Sequence, residues 1–489
     1  MKTVIMPPDA PTLMWSTRAI GYTTSAAVAD LIDNSISAHA SQVHIQFVSG
    51  ENSFISILDD GDGMSADTLR QAMKYGSGNP WQERSATDLG RFGLGLKTAS
   101  LSQCQRLTVA SKRDSVISAY CWDLEHVIES KSWELLELDE DEIAKLPQIE
   151  QLQSLSEGTI VLWSKLDKIF AGNEDKDHAL LLKIREVEDH LALTFHRYLQ
   201  GEAGLKKLSI TSNGVVLKPI DPFYVAKSDE MPTERIAVHY TNQKGEETDD
   251  NVLVTPFILP FSDTLSQTEL DALGGKDGLI KNQGFYIYRN KRLIVAANWF
   301  RLTRKTDLTK LCRVRVDIPN TLDDIWTIDV KKSMAIPPDV VVKNLKRIIA
   351  PIIKAGKRKY KFRATKERSS EKVQLWVPQE TRDGVIYTVN PEYPILKDLM
   401  GEVQSKKKMQ TFLRLLEQNI PLNTIHTDFY DDKKFAAEDV TAAYLNIITN
   451  LRDLLCDLAP TERKAEFDDL MNIVPFSEYD IKFEDLGDF

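Results

Sequence analysis

Gly90-Arg91-Phe92-Gly93-Leu94-Gly95-Leu96-Lys97-Thr98 is a glycine-rich turn that runs into helix-like apolar spacing from Leu94 through Leu101. Free backbone N–H groups and the dipole at such a helix entry favour phosphate, and Lys97 adds a point charge. A Walker A loop is excluded, because Leu96 separates Gly95 from Lys97 and no hydrophobic strand directly precedes Gly90. Working outward, Asp59-Asp60-Gly61-Asp62-Gly63-Met64 closes an apolar run, Phe54 to Leu58. A carboxylate at a strand end followed by Gly61 and Gly63 lets a flat ring approach the backbone, with Asp59 accepting from an exocyclic amine. An EF-hand reading fails, since the closing acidic position counted from Asp59 falls on Arg70. Further back, Asp30-Leu31-Ile32-Asp33-Asn34 lies in a segment that reads as a helix, with Thr24 and Ser25 as capping candidates and Ala27, Leu31 and Ile32 on one face. Asp30 and Asn34 are one turn apart on that helix. An Asn oxygen suits magnesium and a carboxylate orients or deprotonates water.

Taken singly, these runs read as an exposed helix face, a turn after a strand and a glycine-rich helix entry. Their order and separation make the set specific. Around them, Val43, Ile45 and Phe47 alternate ahead of a Gly50-Glu51-Asn52 turn, which with Phe54 to Leu58 predicts a hairpin. Met64 to Gly90 is polar and broken by Gly76, Gly78 and Pro80, and reads as a mobile flap. Thr108 to Ala110, Val116 to Trp122 and Thr159 to Trp163 are strand candidates, and apolar positions at Leu180, Ile184, Val187, Leu191 and Phe195 predict a helix over 177–199. Short β runs follow up to Arg313-Val314-Arg315-Val316, then a helix from about 340 to 355, a hairpin within 373–389, and amphipathic helices around 407–418 and 437–458.

The chain resembles the GHKL ATPase superfamily over roughly residues 15 to 340, and is most similar to MORC-like and MutL-like ATPases of prokaryotes, some of them associated with restriction-modification and defence loci. The resemblance implies an α+β fold: a Bergerat-fold ATPase sandwich over 1–200 with an ATP lid over about 64–96, an α+β transducer-like domain over 201–350, a basic linker or helix extension over 351–372, and a hairpin plus mainly helical region over 373–489. It implies ATP and magnesium as cofactors. Asn34 then holds the metal, Asp59 reads adenine, and Gly61, Gly63 and Met64 shape the base pocket. Gly90, Arg91, Phe92, Gly93, Leu94, Gly95, Leu96 and Lys97 wrap the phosphates, and Thr159 completes the adenine pocket. Asp30 stands where MutL and the chaperones place a general-base Glu. An Asp is one methylene shorter, so slow turnover is expected. The resemblance also implies a transducer lysine, Lys331 or Lys332 of Ile328-Asp329-Val330-Lys331-Lys332-Ser333.

Nine basic residues against two acidic ones fill 354–372, in a chain whose net charge is -11. Whole-surface nucleic-acid binding is therefore excluded, while a local footprint at Lys357, Arg358, Lys359, Lys361 and Arg363, interleaved with Tyr360 and Phe362, is retained. Double-stranded DNA is the expected partner, mostly from the resemblance, alongside an ATP-dependent homodimer and partner proteins of a defence operon. A histidine kinase needs a phosphoacceptor helix pair ahead of these motifs, where only about 20 residues stand. A MutL-type nuclease needs a metal cluster, and the last hundred or so residues hold only His426 and Cys456 as isolated candidates. A nucleotide-gated scaffold with little turnover remains the alternative. Cys104, Cys121, Cys312 and Cys456 are widely spaced, which predicts reduced thiols. No apolar run approaches the roughly 18 residues that span a bilayer, so no membrane and a cytoplasmic location are expected.

Overall fold

The computed structural model describes residues 8–75 and 95–368, apart from 171, 173–174, 242–244, 246, 262–263, 275–277, 307–308, 324 and 329–334, together with 3, 6, 376–381, 384–390, 448–449, 451–452, 455, 459–471 and 481–487. The chain divides into two compact units, Met1–Lys357 and Arg358–Phe489.

The first unit opens with α1 (Ala10–Thr17) and α2 (Thr24–Ser37), then the hairpin β1 (Gln42–Val48) and β2 (Phe54–Asp59). There follow α3 (Ala66–Met73), α4 (Gly95–Leu101), β3 (Arg106–Arg113), β4 (Val116–Asp123), α5 (Leu124–Ser130), β5 (Leu136–Glu137), α6 (Glu140–Ile143), α7 (Ile149–Ser154) and β6 (Gly158–Ser164). α8 (Lys176–Thr194) and α9 (His196–Gln200) lead to β7 (Ser209–Ser212) and β8 (Val215–Val216). These strands form one eight-stranded sheet in the order β5-β4-β3-β6-β2-β1-β7-β8. The first sheet thus draws on strands as late as residue 216.

The period-2 patterning of the central strands explains the layers. Ile55 and Ile57 of β2, Leu107 and Val109 of β3, Tyr120 and Trp122 of β4, and Val161 and Trp163 of β6 share one core with α2, α4 and α8. The alternate residues Leu58, Ala110, Ala119, Ile160 and Leu162 pack on the opposite face against Ile149 and Leu152 of α7. A sheet covered by α2, α4 and α8 on one face and by the short α7 on the other is the α+β sandwich expected from the sequence. The helix cap lies one residue earlier than expected: the Thr23 hydroxyl, not that of Thr24 or Ser25, accepts from the Ala26 N–H at 3.2 Å. Thr24 is instead turned inward, where its hydroxyl donates to Gln103 at 2.8 Å.

The polar stretch after Met64, read as flap, begins with a helix. α3 is capped by Ser65 and buries Leu69 and Met73, one turn apart. Residues 76–94 lie outside the described residues.

A six-stranded sheet completes the unit: β9 (Asp229–Glu230), β10 (Glu234–Thr241), β11 (Glu247–Ile258), then, after α10 (Gln267–Gly274) and α11 (Gly278–Lys281), β12 (Gly284–Arg289), β13 (Arg292–Asn298) and β14 (Cys312–Ile318). Its order is β10-β11-β14-β12-β13, with β9 paired to β11. β15 (Thr327–Ile328) pairs with β16 (Ala335–Ile336), and α12 (Asp339–Arg368) follows. α9 meets the six-stranded sheet through polar contacts: His196 Nε2 lies 2.8 Å from the Tyr288 hydroxyl, Tyr198 O–H donates to the Asn290 carbonyl at 2.6 Å, and Arg197 pairs with Asp317. The second unit contains the antiparallel pair β17 (Trp376–Thr381) and β18 (Gly384–Val389), the hairpin read from the sequence, and a small core of Leu451, Leu455, Phe467, Ile481 and Leu486. The helix expected at 407–418 and most of that at 437–458 lie outside the described residues. Among the described residues, Cys104, Cys121 and Cys312 are buried free thiols, and no helix is long and apolar enough to cross a membrane.

Candidate functional site

Strand register builds the site. Asp59, the last residue of β2, pairs with Thr159 of β6, and Thr159 pairs in turn with Ser111 of β3. Three polar residues therefore cross the middle of an apolar sheet in one row. Thr159 Oγ1 lies 2.9 Å from Ser111 Oγ, which donates to the Gly158 carbonyl at 3.0 Å and accepts from the Met64 N–H at 2.8 Å. Asp59 is 7% exposed; Ser35 of α2 donates to its Oδ2 at 2.7 Å and the Gly61 N–H to its Oδ1 at 3.0 Å. Burial pushes the Asp59 carboxyl above the usual carboxylate range, against the opposing pull of those two hydrogen bonds.

The neighbouring aspartate behaves in the opposite sense. Burial also raises Asp60, but donors from Ser41 and Gln42 outweigh it and hold the carboxyl below its ordinary value. Asp60 accepts from the Ser41 and Gln42 N–H groups at 2.7 and 2.8 Å, so it secures the start of β1. Of the paired carboxylates in Asp59-Asp60, Asp59 belongs to the pocket and Asp60 to the scaffold.

The glycines are required by close approach. A Cβ on Gly61 would meet the Ala38 carbonyl oxygen at 2.8 Å. One on Gly63, at φ +62°, would lie 2.0 Å from the Lys112 carbonyl oxygen, and one on Gly158 would lie 2.4 Å from that of Asp59. Gly63→Ala is expected to lower unfolding stability by about 3 kcal/mol or more, from left-handed strain plus backbone collision. Gly50→Ala, at φ +105° with open space around it, is the control for strain alone and should cost about 1 kcal/mol. Denaturant unfolding of both variants checks this; equal losses would show that Gly63 is not held against the strand ends.

α2 carries the other half. Asp30 is 3% exposed and accepts from the Tyr22 hydroxyl at 2.9 Å, whereas Asn34, one turn on, is exposed. A Cβ on Gly95 would lie 3.6 Å from Asp30 Oδ2, so the start of α4 faces this carboxylate. Leu96 is half-buried against the core. Lys97 is 2% exposed and donates from Nζ to the Ala72 carbonyl at 2.6 Å, with burial pushing its ammonium down to about 8. With Trp122 Nε1 donating to the Met73 carbonyl at 2.9 Å, this satisfies the last carbonyls of α3. Gly90, Arg91, Phe92, Gly93, Leu94, Lys331 and Lys332 lie outside the described residues. Lys357, Arg358, Lys359, Lys361 and Arg363 fall within the backbone of α12. Among the described residues, no group of three or more His, Cys, Asp or Glu side chains is placed to hold a metal ion.

Sequence reasoning missed Ser35, Ser111 and Tyr22. Ser35 had a local signal, a serine in the interior of an apolar helix immediately after Asn34. Ser111 had none, because only the register of β3 against β6 brings it to Thr159.

The site can hold an acceptor carboxylate against a flat heterocycle and present a carboxamide oxygen one turn from a second carboxylate. Adenine fits the first, since its exocyclic amine is a donor that a carboxylate accepts; a magnesium-bound triphosphate fits the second, since Asn34 offers a neutral hard oxygen. Residues 22–159 match the family described as histidine kinase-, DNA gyrase B-, and HSP90-like ATPase. The chain is 32% identical over 95 residues to ATPase morc-1 of Caenorhabditis elegans, covering 19% of this chain and 11% of that protein. It is 31% identical over 97 residues to the DNA mismatch repair protein MutL of Azorhizobium caulinodans, covering 20% and 16%, and 32% identical over 98 residues to MutL of Coxiella burnetii strain Dugway 5J108-111, covering 20% and 17%. The similarity thus spans less than a fifth of each relative's length. The residues that match the family, 22–159, include Asp30, Asn34, Asp59, Ser111 and Thr159.

Proposed function

We propose that the chain is a magnesium-dependent ATP-binding and hydrolysing switch whose ATPase domains pair on binding triphosphate and which acts as a clamp on double-stranded DNA. The observation that carries the nucleotide part is the row Asp59–Thr159–Ser111 with the buried Asp59 carboxylate at its end. In this reading Asp59 accepts from the adenine amine, with Thr159 and Ser111 fixing the neighbouring donors. Asn34 holds magnesium, which when bound neutralises charge on the phosphate oxygens. Asp30 orients the attacking water, and Tyr22 holds Asp30 in place. Gly90–Lys97 wrap the phosphates, residues 64–96 act as the lid, and Lys331 or Lys332 reaches the γ-phosphate from a transducer-like region over 201–350.

DNA binding is supported by the basic run around 357–363 and by relatives named DNA mismatch repair proteins. A defence setting, with partner proteins from the same locus, rests on the MORC-like resemblance. Asp30 favours a second reading, a nucleotide-gated scaffold with little turnover, because its short side chain is already engaged by Tyr22. Sedimentation with a nonhydrolysable ATP analogue and magnesium tests the switch: a shift from monomer to dimer is expected, with DNA retained at higher salt by the dimer than by the nucleotide-free protein. Unchanged sedimentation and unchanged DNA retention would overturn it.

A further inference from the structure

Arg292, the first residue of β13, and Asp33 of α2 are 259 residues apart in sequence, yet Arg292 Nε donates to Asp33 Oδ1 at 3.3 Å. Their side chains are 3% and 0% exposed. The guanidinium also donates from Nη1 to the Leu293 carbonyl at 3.0 Å and lies 5.9 Å from the Phe195 ring centroid. His190 of α8 borders the same pair: burial, reinforced by Arg292 and opposed by Asp33, pushes its imidazole down to about 4. One arginine thus joins the six-stranded sheet to α2 and lies beside α8, and it does so at Asp33, in the turn that carries Asp30 and Asn34.

A buried ion pair adds little net stability over a well-packed apolar pair, but separating it leaves two charges out of water without compensation. Sliding α2 against β13 is therefore strongly opposed, and the two move as one body. Lysine would not substitute, because its single ammonium lacks the planar fork that serves Asp33 and Leu293 together.

We infer that Arg292 is a positioning residue that ties the turn carrying Asp30 and Asn34 to the six-stranded sheet, so that nucleotide binding at α2 is felt at β13 and the state of that sheet sets the placement of Asp30. Such coupling is reciprocal. The inference rests on the ATP reading of the site.

Hydrogen exchange of the full chain, with and without a nonhydrolysable ATP analogue and magnesium, tests it. Amides of 30–37 and of 292–298 gain protection together in the parent. In Arg292→Lys the response of 30–37 persists and that of 292–298 is lost, while kcat at saturating ATP falls about tenfold and KM stays within about threefold, as misplacement of a water-orienting group predicts. A purely structural role would lower the melting temperature and leave the exchange response and kcat of the folded variant unchanged. Protection at 30–37 with none at 292–298 in the parent would overturn the inference, and this arm decides the question even where Arg292→Lys does not fold. No response at either segment would overturn the ATP reading itself.

Discussion

Asp59→Asn is expected to weaken ATP binding by about a hundredfold or more while leaving the protein folded. The substitution is nearly isosteric, but it places an N–H₂ donor where the pocket offers an acceptor. Turned toward Gly61 that donor meets a backbone N–H, and turned toward Ser35 it is accommodated only if the hydroxyl swings round to accept, so either orientation removes one of the two acceptor oxygens of the parent. A site built to hydrogen-bond one pattern rejects the opposite one strongly, because buried polar groups are left unpaired. Titration with a fluorescent ATP analogue, beside a melting curve, measures this; affinity within threefold of the parent would mean that Asp59 does not read the base. The sign of its pH dependence follows from the same geometry. Burial raises the Asp59 carboxyl above its ordinary value, so the accepting carboxylate is lost earlier on acidification than at a surface aspartate, and ATP affinity falls as pH drops toward that raised value.

Asn34→Ala is the second large effect, and it falls on turnover. Asn34 is exposed on the last turn of α2, so its removal leaves the core intact, and alanine is the better helix former. Its backbone carbonyl still accepts from the Ala38 N–H at 2.9 Å. What disappears is a neutral oxygen one turn from Asp30. Phosphate release is expected to fall about a hundredfold or more, with melting temperature unchanged within a few degrees. A variant that turns over as fast as the parent would remove Asn34 from the reaction.

The sequence made legible what is set locally. Alternation in β1 and β2 put Asp59 at a strand end, helical spacing put Asp30 and Asn34 one turn apart, and the glycines of 59–63 marked a close approach that the Lys112 and Ala38 carbonyls enforce. Contacts fixed by strand register or by docking of the second sheet were not legible. Ser111 reaches Thr159 across 48 residues and Arg292 reaches Asp33 across 259, and neither has a local signature. α3 was hidden by its polar surroundings, since only Leu69 and Met73 face inward, although a serine ahead of two apolar residues at i, i+4 was present to be read. Lys97 points to the limit of motif reading: its place in a phosphate-wrapping run does not reveal that its ammonium donates to the end of α3.

If Asp59, Asn34 and Asp30 form one magnesium-dependent ATPase site, hydrolysis must need both the metal and the Asn34 oxygen. Steady-state phosphate release from ATP by the purified chain, with and without magnesium and double-stranded DNA, beside Asn34→Ala, tests it most directly. Slow release that requires magnesium and disappears in the variant is expected; release that persists unchanged in Asn34→Ala or without magnesium would rule out a shared site.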